Sequence, residues 1–189
     1  MVTIETDRLL IRHFAADDSG YLLEMIVQYQ ASEYAVYDHQ WPTSVDEIRG
    51  VAEWFAGGDS YLAVCLKDDG RFIGFVSLNG SGEGPGGEFD LGYCFNFDYH
   101  GRGYAAEACS AALAHAFRER EAAKVTSGTA AANLPSCRLL SRLSMRKTRE
   151  GTASFCNDED GRPMEFVGWG FELTRDDWLA AGQGSRSGE

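Results

Sequence analysis

A glycine loop at the start of an alanine-rich helix is the segment of this sequence whose residue types best suit chemistry. It reads "HGRGYAAEACSAALAHAF", from His100 to Phe117, and follows a hydrophobic strand pattern. The first N–H groups of a helix have no partner within the helix and carry the positive end of its dipole. Glycines at positions 101 and 103 remove side chains at that point, so the loop is suited to an anion such as pyrophosphate. A tight turn before a well-packed helix is the alternative.

Small residues on one face of this helix favour the phosphate interpretation, because they let the helix approach the sheet and bring the loop to the strand end. They are Ala105, Ala108, Cys109, Ala112 and Ala116. A dinucleotide site would need an acidic residue at the end of the next strand, which reads "KVTSGTA" without an acid. A Walker loop would need Gly-Lys followed by Ser or Thr, whereas this loop reads "GRGY".

The surrounding pattern predicts the elements that position the loop. Five strands are expected over residues 7–14, 62–66, 72–78, 88–96 and 124–130, with a closing pair around the turn at 157–163. Helices are expected after Asp17 or Asp18, after the cap Ser44, from Gly103, and over about 135–143, with a last helical turn near 174–181. The glycine-rich segment 79–88 reads as a mobile surface loop. This order predicts one α+β or mixed α/β domain.

Charge and composition exclude several classes of protein. The net charge is −12 and the pI is about 4.7, which disfavours nucleic acid and anionic membrane as partners. No apolar run approaches the roughly 20 residues of a membrane-spanning helix, and no secretion signal is visible. Five scattered cysteines without CxxC spacing favour reduced thiols and predict no metal site. The expected location is the cytoplasm.

Four segments in order resemble the GNAT superfamily of N-acetyltransferases, in its ribosomal-protein alanine N-acetyltransferase branch. The loop "GRGYAAEA" is similar to "GKGYATEA", and "ETDRLLIRHFAADD" resembles the opening "TERLxLRPxxxxD". "NLPSCRLLSRLSMRKTREG" resembles "NxxSxRvlEKLGFxxEG", although Ser144 replaces the glycine of that motif, and "GWGFELTRDDW" resembles an ending in "LTREEW". The resemblance implies a GNAT-like domain over residues 1–180, followed by a disordered tail at 181–189. It further implies a central, mostly antiparallel twisted sheet of about seven strands, flanked by helices and splayed at strands 4 and 5.

The family's acyl-CoA site is carried over residue by residue. The resemblance implies that backbone groups of the fourth strand pair with the pantetheine arm and that loop amides cradle the pyrophosphate. His100 departs from the usual Gln or Arg, so its charge would depend on pH. Asn133 matches an asparagine that contacts the pantetheine, and it is also a helix cap by position. The implied coenzyme-binding residues are Tyr93, Cys94, Phe95, His100, Gly101, Arg102, Gly103, Tyr104, Ala105, Asn133 and Ser136.

The implied catalytic residues are Asp90, Glu88 and Ser136. "EFDLGY" aligns with the family's "AEIGY", which assigns Asp90 to the base or water-holding position, and Glu88 lies on the same strand face two residues earlier. Either carboxylate relays a proton in this scheme, and solvated edge carboxylates are the alternative. Many members carry a tyrosine where this chain has Leu140, so Ser136 becomes the candidate partner of the leaving thiolate. Neither Cys94 nor Cys137 has a histidine within readable reach, which disfavours a covalent route.

The acceptor side is expected in the segment "YAVYDHQW". Glu33 and Asp38 are suited to attract an ammonium, and Tyr37 and Trp41 to stack on a substrate, with plain packing as the alternative. The function implied is acetyl transfer from acetyl-CoA, as co-substrate, to a primary amine by direct attack in a ternary complex. A non-catalytic acyl-CoA-binding or sensing module and a scaffold that binds no CoA are the alternatives. The acceptor identity and the choice between monomer and homodimer stay open.

Overall fold

The computed structural model describes residues 2–81 and 86–184. Within them the chain forms one open sheet of eight strands in the order β1-β2-β3-β4-β5-β6-β8-β7, with five α-helices. The strands are β1 (Thr3–Glu5), β2 (Leu9–His13), β3 (Tyr61–Leu66), β4 (Phe72–Ser81), β5 (Glu88–Phe95), β6 (Lys124–Ala130), β7 (Arg146–Ala153) and β8 (Phe166–Thr174). The helices are α1 (Ser19–Gln30), α2 (Val45–Ala56), α3 (Tyr104–Arg118), α4 (Leu134–Arg142) and α5 (Arg175–Gly184). The predicted single α+β domain is confirmed.

The two faces of the sheet carry separate cores, because side chains alternate along each strand. On one face α3 packs through the buried small residues that its sequence presents, Ala108, Cys109, Ala112 and Ala116. On the other face α1 and α2 cover a cluster that includes Phe14, Phe55, Phe72 and Phe75. Ser44 caps α2 as predicted, with its hydroxyl accepting from the Glu47 N–H at 3.4 Å. Along β5, successive side chains therefore lie alternately on the α3 face and on the α1–α2 face of the sheet.

The sheet opens between β5 and β6, which is the one parallel pair in the described residues. Their backbone register covers only Glu88↔Lys124, Phe89↔Val125 and Asp90↔Thr126. Beyond Asp90 the strands diverge, although β5 continues to Phe95 and stays paired with β4. The predicted splay at the fourth and fifth strands, counted as they were from the sequence, is therefore confirmed.

The structure departs from the predicted elements at three places, and strand pairing explains the first two. The predicted first strand at 7–14 is β2; β1 precedes it, was not predicted, and pairs with it antiparallel, so the total is eight instead of about seven. β4 continues to Ser81 because it stays in register with β5 up to Ser81↔Glu88, so part of the predicted loop is strand; residues 82–85 lie outside the described residues. α5 continues to Gly184, so the predicted tail begins with helix, and residues 185–189 lie outside the described residues.

No helix among the described residues is both long and apolar enough to cross a bilayer.

Candidate active site

A cavity of about 900 Å³ occupies the opening between β5 and β6. It reaches the connection between α1 and α2 at one end and the start of α4 at the other. Predicted site residues that line it are Tyr37, Asp38, Trp41, Asp90, Tyr93, Cys94, Asn133 and Ser136. The lining does not include Glu33, Glu88, Phe95 or the loop from His100 to Ala105. The structure thus brings together the predicted acceptor and thioester residues around one cavity.

The glycine loop has the backbone geometry of a helix entrance that only glycine adopts easily. Gly101 has φ of +73° and Gly103 has φ of +82°, both in the left-handed region. Gly103 is the N-cap of α3, and its carbonyl accepts the first helical bond from the Glu107 N–H at 3.1 Å. The N–H groups of Tyr104, Ala105 and Ala106 come before this first hydrogen bond of the helix. They are therefore helix-terminal donors of the kind that suits an anion.

Arg8 braces this loop from the connection between β1 and β2. Its Nη1 donates to the Arg102 carbonyl at 3.0 Å, and its Nε donates to the Glu107 carboxylate at 2.7 Å. The same guanidinium lies 4.5 Å from the centroid of the Tyr104 ring. Although partial burial opposes it, hydrogen bonds from Thr6 and Arg8 lower the pKa of Glu107, so that carboxylate is ionised at neutral pH. The sequence analysis missed Arg8 because its partners lie about a hundred residues away along the chain.

His100 is held by the protein itself. Its Nε2–H donates to the Phe95 carbonyl at 2.9 Å, and its ring lies 4.7 Å from that of Phe97. This bond ties the end of β5 to the loop and occupies one ring nitrogen of a side chain that was predicted to bind the coenzyme. Arg102 is exposed and lies 5.6 Å from the Tyr99 ring centroid.

Backbone directions along β5 separate the three residues predicted to pair with pantetheine. Successive residues of a strand turn their N–H and C=O to opposite sides. The Leu91 carbonyl accepts from the Ser127 hydroxyl of β6 at 2.8 Å, and the Phe95 carbonyl accepts from His100, so odd-numbered residues face the opening. Tyr93 shares this direction, whereas the backbone of Cys94 turns toward β4. Tyr93 is therefore the residue of the three whose backbone best fits the predicted pairing.

Ser136 and Tyr93 meet at the α4 end of the cavity. Asn133 caps α4, with its Oδ1 accepting from the Ser136 N–H at 3.2 Å, which fixes the first turn of the helix. The Ser136 hydroxyl lies 2.7 Å from the Tyr93 phenol oxygen. Burial raises the pKa of Tyr93, and the Ser136 hydrogen bond partly opposes this, so the phenol keeps its proton at neutral pH. Leu140, where many relatives carry tyrosine, is fully buried in the core.

Asp90 marks the point where the two strands part. Its carboxylate accepts from the Thr126 hydroxyl of β6 at 3.0 Å. The side chain is open to the cavity, yet protein surrounds it, and this desolvation raises its pKa from its ordinary value, against the opposing Thr126 hydrogen bond. A carboxylate with a raised pKa is suited to accept a proton. Glu88 instead forms an ion pair with Lys124 at 3.0 Å; Lys124 lines the cavity and Glu88 does not.

The acceptor end of the cavity is acidic and aromatic. The Asp38 carboxylate accepts from the Trp41 indole N–H at 3.1 Å and from the His39 N–H at 2.7 Å. Burial, with a smaller contribution from Asp38, raises the pKa of the Cys94 thiol to about 12. Further ring side chains complete this wall, and the sequence analysis missed them as site residues: Tyr29, Tyr61, Phe75, Phe155 and Phe166. Their types match ordinary core residues, so no local signal separates them from packing.

Two connecting segments meet over this end, and we call them the roof: residues 36–39, after α1, and residues 155–166, between β7 and β8. Tyr37 lies 5.2 Å from Phe166 between ring centroids, and His39 lies 4.6 Å from Phe155. The Cys156 thiol lies 3.7 Å from the Val36 carbonyl. All rings except that of His39 also line the cavity, so the roof is part of its wall.

The described residues contain no group of three or more His, Cys, Asp or Glu side chains placed to hold a metal ion.

Comparison with known proteins gives the family. The family described as an acetyltransferase (GNAT) domain matches residues 8–146. The uncharacterized N-acetyltransferase YnaD of Bacillus subtilis (strain 168) is 28% identical over 156 residues, covering 81% of this chain and 86% of YnaD. A GNAT-family acetyltransferase from Bacillus anthracis superposes with a TM-score of 0.76 at 22% identity, over 93% of this chain and 99% of that one.

RimL, described as a ribosomal L7/L12 alpha-N-protein acetyltransferase in complex with coenzyme A, superposes with a TM-score of 0.72 at 15% identity, over 93% of this chain and 99% of that one. At that identity the likeness concerns the fold alone. The family match spans most of the chain and includes the glycine loop, the opened strand pair and the start of α4. The chain belongs to the GNAT family of acetyltransferases.

Proposed function

We propose that this acetyltransferase carries the acetyl group of acetyl-CoA to a primary amine by direct attack in a ternary complex. The observation that carries the proposal is the cavity between β5 and β6, which joins Asp90 to the Tyr93–Ser136 pair. Side-chain alternation sends Asp90 toward the α1–α2 face and Tyr93 toward the α3 face. An amine approaching from one face and a thioester lying in the opening can therefore meet without crossing a strand.

The residues present fit the coenzyme. The two positive-φ glycines and the α3 terminus form a cradle for pyrophosphate, and Arg8 keeps that cradle in shape. The unpaired stretch of β5 beyond Asp90 offers the Tyr93 backbone to the pantetheine arm. In this scheme the thioester sulfur lies near the hydroxyl of Ser136, at the start of α4.

The chemistry divides between the two ends of the cavity. Asp90, directly or through a water, accepts the proton that an ammonium must lose, and the free amine attacks the acetyl carbonyl. The new C–N bond forms as the C–S bond breaks, the nitrogen releases its surplus proton to solvent or to the departing thiolate, and the Ser136 hydroxyl donates a hydrogen bond to the sulfur. Much of the rate comes from holding both substrates in line.

Direct attack is also supported by the cysteines. Burial, and to a lesser extent Asp38, raises the pKa of Cys94 to about 12, so its thiol stays protonated at neutral pH. Burial raises the pKa of Cys137 as well, and its thiol points to the Ala130 carbonyl at 3.6 Å. Neither thiol is prepared as a nucleophile that would form an acetyl-enzyme.

Calorimetric titration of acetyl-CoA into wild type and Gly103→Trp tests the coenzyme site. Wild type should bind, and the tryptophan should abolish binding because its side chain fills the cradle. Gly50→Trp is the matched control, since a Cβ at this exposed α2 position meets nothing within 4 Å. Gly103 has positive φ, so thermal unfolding must show that the variant folds. A second comparison needs no variant: S-acetylpantetheine, which lacks the pyrophosphate, should bind wild type far more weakly than acetyl-CoA.

A non-catalytic acyl-CoA-binding module is the alternative, and the buried Leu140 is the observation in its favour, because the family's common tyrosine acid is missing. CoA release that depends on an added amine would exclude this alternative. Tight acetyl-CoA binding without turnover on any amine would support it.

A further inference from the structure

We propose that the acceptor is a small amine carrying a second cationic nitrogen, bound under the roof between Asp38 and Asp90, and not the N-terminus of a folded protein. This inference rests on the proposed function and names the substrate class of the same site. It is carried by three features of the cavity: the position of Asp38, the aromatic wall and the roof.

Asp38 is a fixed anion that faces the cavity. Bonds from the Trp41 indole and the His39 amide, at 3.1 and 2.7 Å, hold both oxygens without neutralising the charge. Its charge contributes, after the larger effect of burial, to raising the pKa of three groups in the cavity wall: Tyr29, Tyr61 and Cys94. A carboxylate held this way by neutral donors is prepared to bind a cation.

Asp38 and Asp90 line the same cavity, with Tyr61 in its wall. Both carboxylates raise the pKa of the Tyr61 phenol, after the larger effects of burial, which raises it, and of the Asn79 hydrogen bond, which lowers it. The cations that line the cavity, Lys124 and Arg149, come from β6 and β7, and Lys124 is paired with Glu88. A substrate with its reacting amine at Asp90 and a distal ammonium at Asp38 matches two anions separated by aromatic surface. Methylene groups between the two nitrogens would lie against that surface.

The roof limits the size of the acceptor. The ring contacts Tyr37–Phe166 and His39–Phe155 join the two segments directly above the acidic end. A polypeptide entering between the two segments would have to displace both contacts, whereas a short diamine would not need to separate them. The volume of about 900 Å³, shared with the end of the pantetheine arm, is that of a small-molecule site.

The test measures CoA release with three acceptors: 1,4-diaminobutane, 1-aminobutane and a lysine-free hexapeptide beginning with alanine. The first two have the same carbon chain and differ only in the second nitrogen. Wild type should show kcat/KM for the diamine at least about tenfold above that for the monoamine, since hydrogen bonds to charged groups have about that effect or more. The hexapeptide should be the poorest acceptor of the three.

Variants assign the preference to its residue. Asp38→Asn should lower kcat/KM for the diamine by about 10- to 100-fold and for the monoamine by less than about threefold. Asp38→Glu restores the charge and should keep the preference, which separates a charge effect from disturbance of the segment. Asp68→Asn, an equal loss of charge in the β3–β4 turn, should change neither acceptor.

Equal kcat/KM for the diamine and the monoamine in wild type, equal losses for both in Asp38→Asn, or a preference for the hexapeptide would each overturn the inference while leaving acetyl transfer intact. Absence of CoA release with all three acceptors, in protein that binds acetyl-CoA, would instead count against the proposed function and remove the inference with it.

Discussion

The Tyr93 phenol lies 2.7 Å from the Ser136 hydroxyl, so one hydrogen bond connects β5 to the first turn of α4 across the opening in the sheet. The bond joins a residue expected to act through its backbone to the candidate partner of the thiolate. Leu140, one turn further along α4, faces the core and is not available to the cavity. The arrangement offers two hydroxyls from different elements, and we expect Tyr93 to act as a positioning residue for Ser136.

Removing either hydroxyl should slow the reaction without weakening coenzyme binding. We expect Tyr93→Phe and Ser136→Ala each to lower kcat by about tenfold, the effect of losing one hydrogen bond, with KM for acetyl-CoA nearly unchanged. Because the two act as one unit, the double variant should be little slower than either single variant. Steady-state kinetics of the four proteins give the coupling energy. Multiplying effects would show that the two hydroxyls contribute to the rate independently, which would contradict a positioning role of Tyr93.

Asp90→Asn should affect rate and stability in opposite directions. We expect kcat/KM for the amine to fall about 100-fold at neutral pH, as for loss of a general base, and the acid limb of the wild-type pH profile to disappear. The folded protein raises the pKa of Asp90, so the wild type loses stability as pH rises through that raised value. Asparagine removes this cost, and Tm should exceed that of wild type at pH 7 and approach it in acid. Thermal scans across pH check the sign, and a lower Tm at pH 7 would contradict it.

Arg8→Gln should loosen the glycine loop and raise KM for acetyl-CoA by about threefold to tenfold, with little change in kcat. The guanidinium holds the Arg102 carbonyl and Glu107, and its partly exposed position keeps the effect modest. Rising salt should reduce the difference between the two proteins, because the ion pair is screened. Arg49→Gln, which removes an exposed i,i+3 pair with Asp46 on α2, is the matched control and should bind acetyl-CoA normally. A change confined to kcat in Arg8→Gln would argue against the bracing role.

The glycine loop and α3 could be predicted from local sequence patterns. The positive φ of Gly101 and Gly103 and the face of small residues on α3 both depend on neighbouring residues in the sequence. The opening between β5 and β6 came from family resemblance, and the backbone pairing agrees with it. The Tyr93–Ser136 bond was out of reach, since it depends on which strand face meets α4, forty-three residues along the chain. The roof could not be predicted either, because its two segments are far apart in the sequence. Phe155 and Phe166 are also residue types that are common in ordinary cores.

Two substitutions in the family pattern now have different explanations. Ser144, in place of the motif's glycine, has φ of +63°, so the backbone after α4 keeps the left-handed turn that glycine would adopt more easily. His100, in place of Gln or Arg, ties the end of β5 to the loop through the Phe95 carbonyl. The first is a backbone constraint that a motif comparison can flag, whereas the second depends on a contact that no spacing rule indicates.

The early end of the β5–β6 pairing has a consequence for cooperativity. Within the described residues, β1–β5 and β6–β8 are joined in the sheet by the three register pairs from Glu88 to Asp90. A pantetheine arm bound to Tyr93 would act as the missing strand and bridge the two halves. Acetyl-CoA at a hundred times its Kd adds about 2.7 kcal/mol to the stability of any protein that binds it only when folded. In this protein the bound pantetheine would stabilise the junction between β5 and β6. Slower amide hydrogen exchange along Leu91–Phe95 should therefore report occupancy of the site without any turnover.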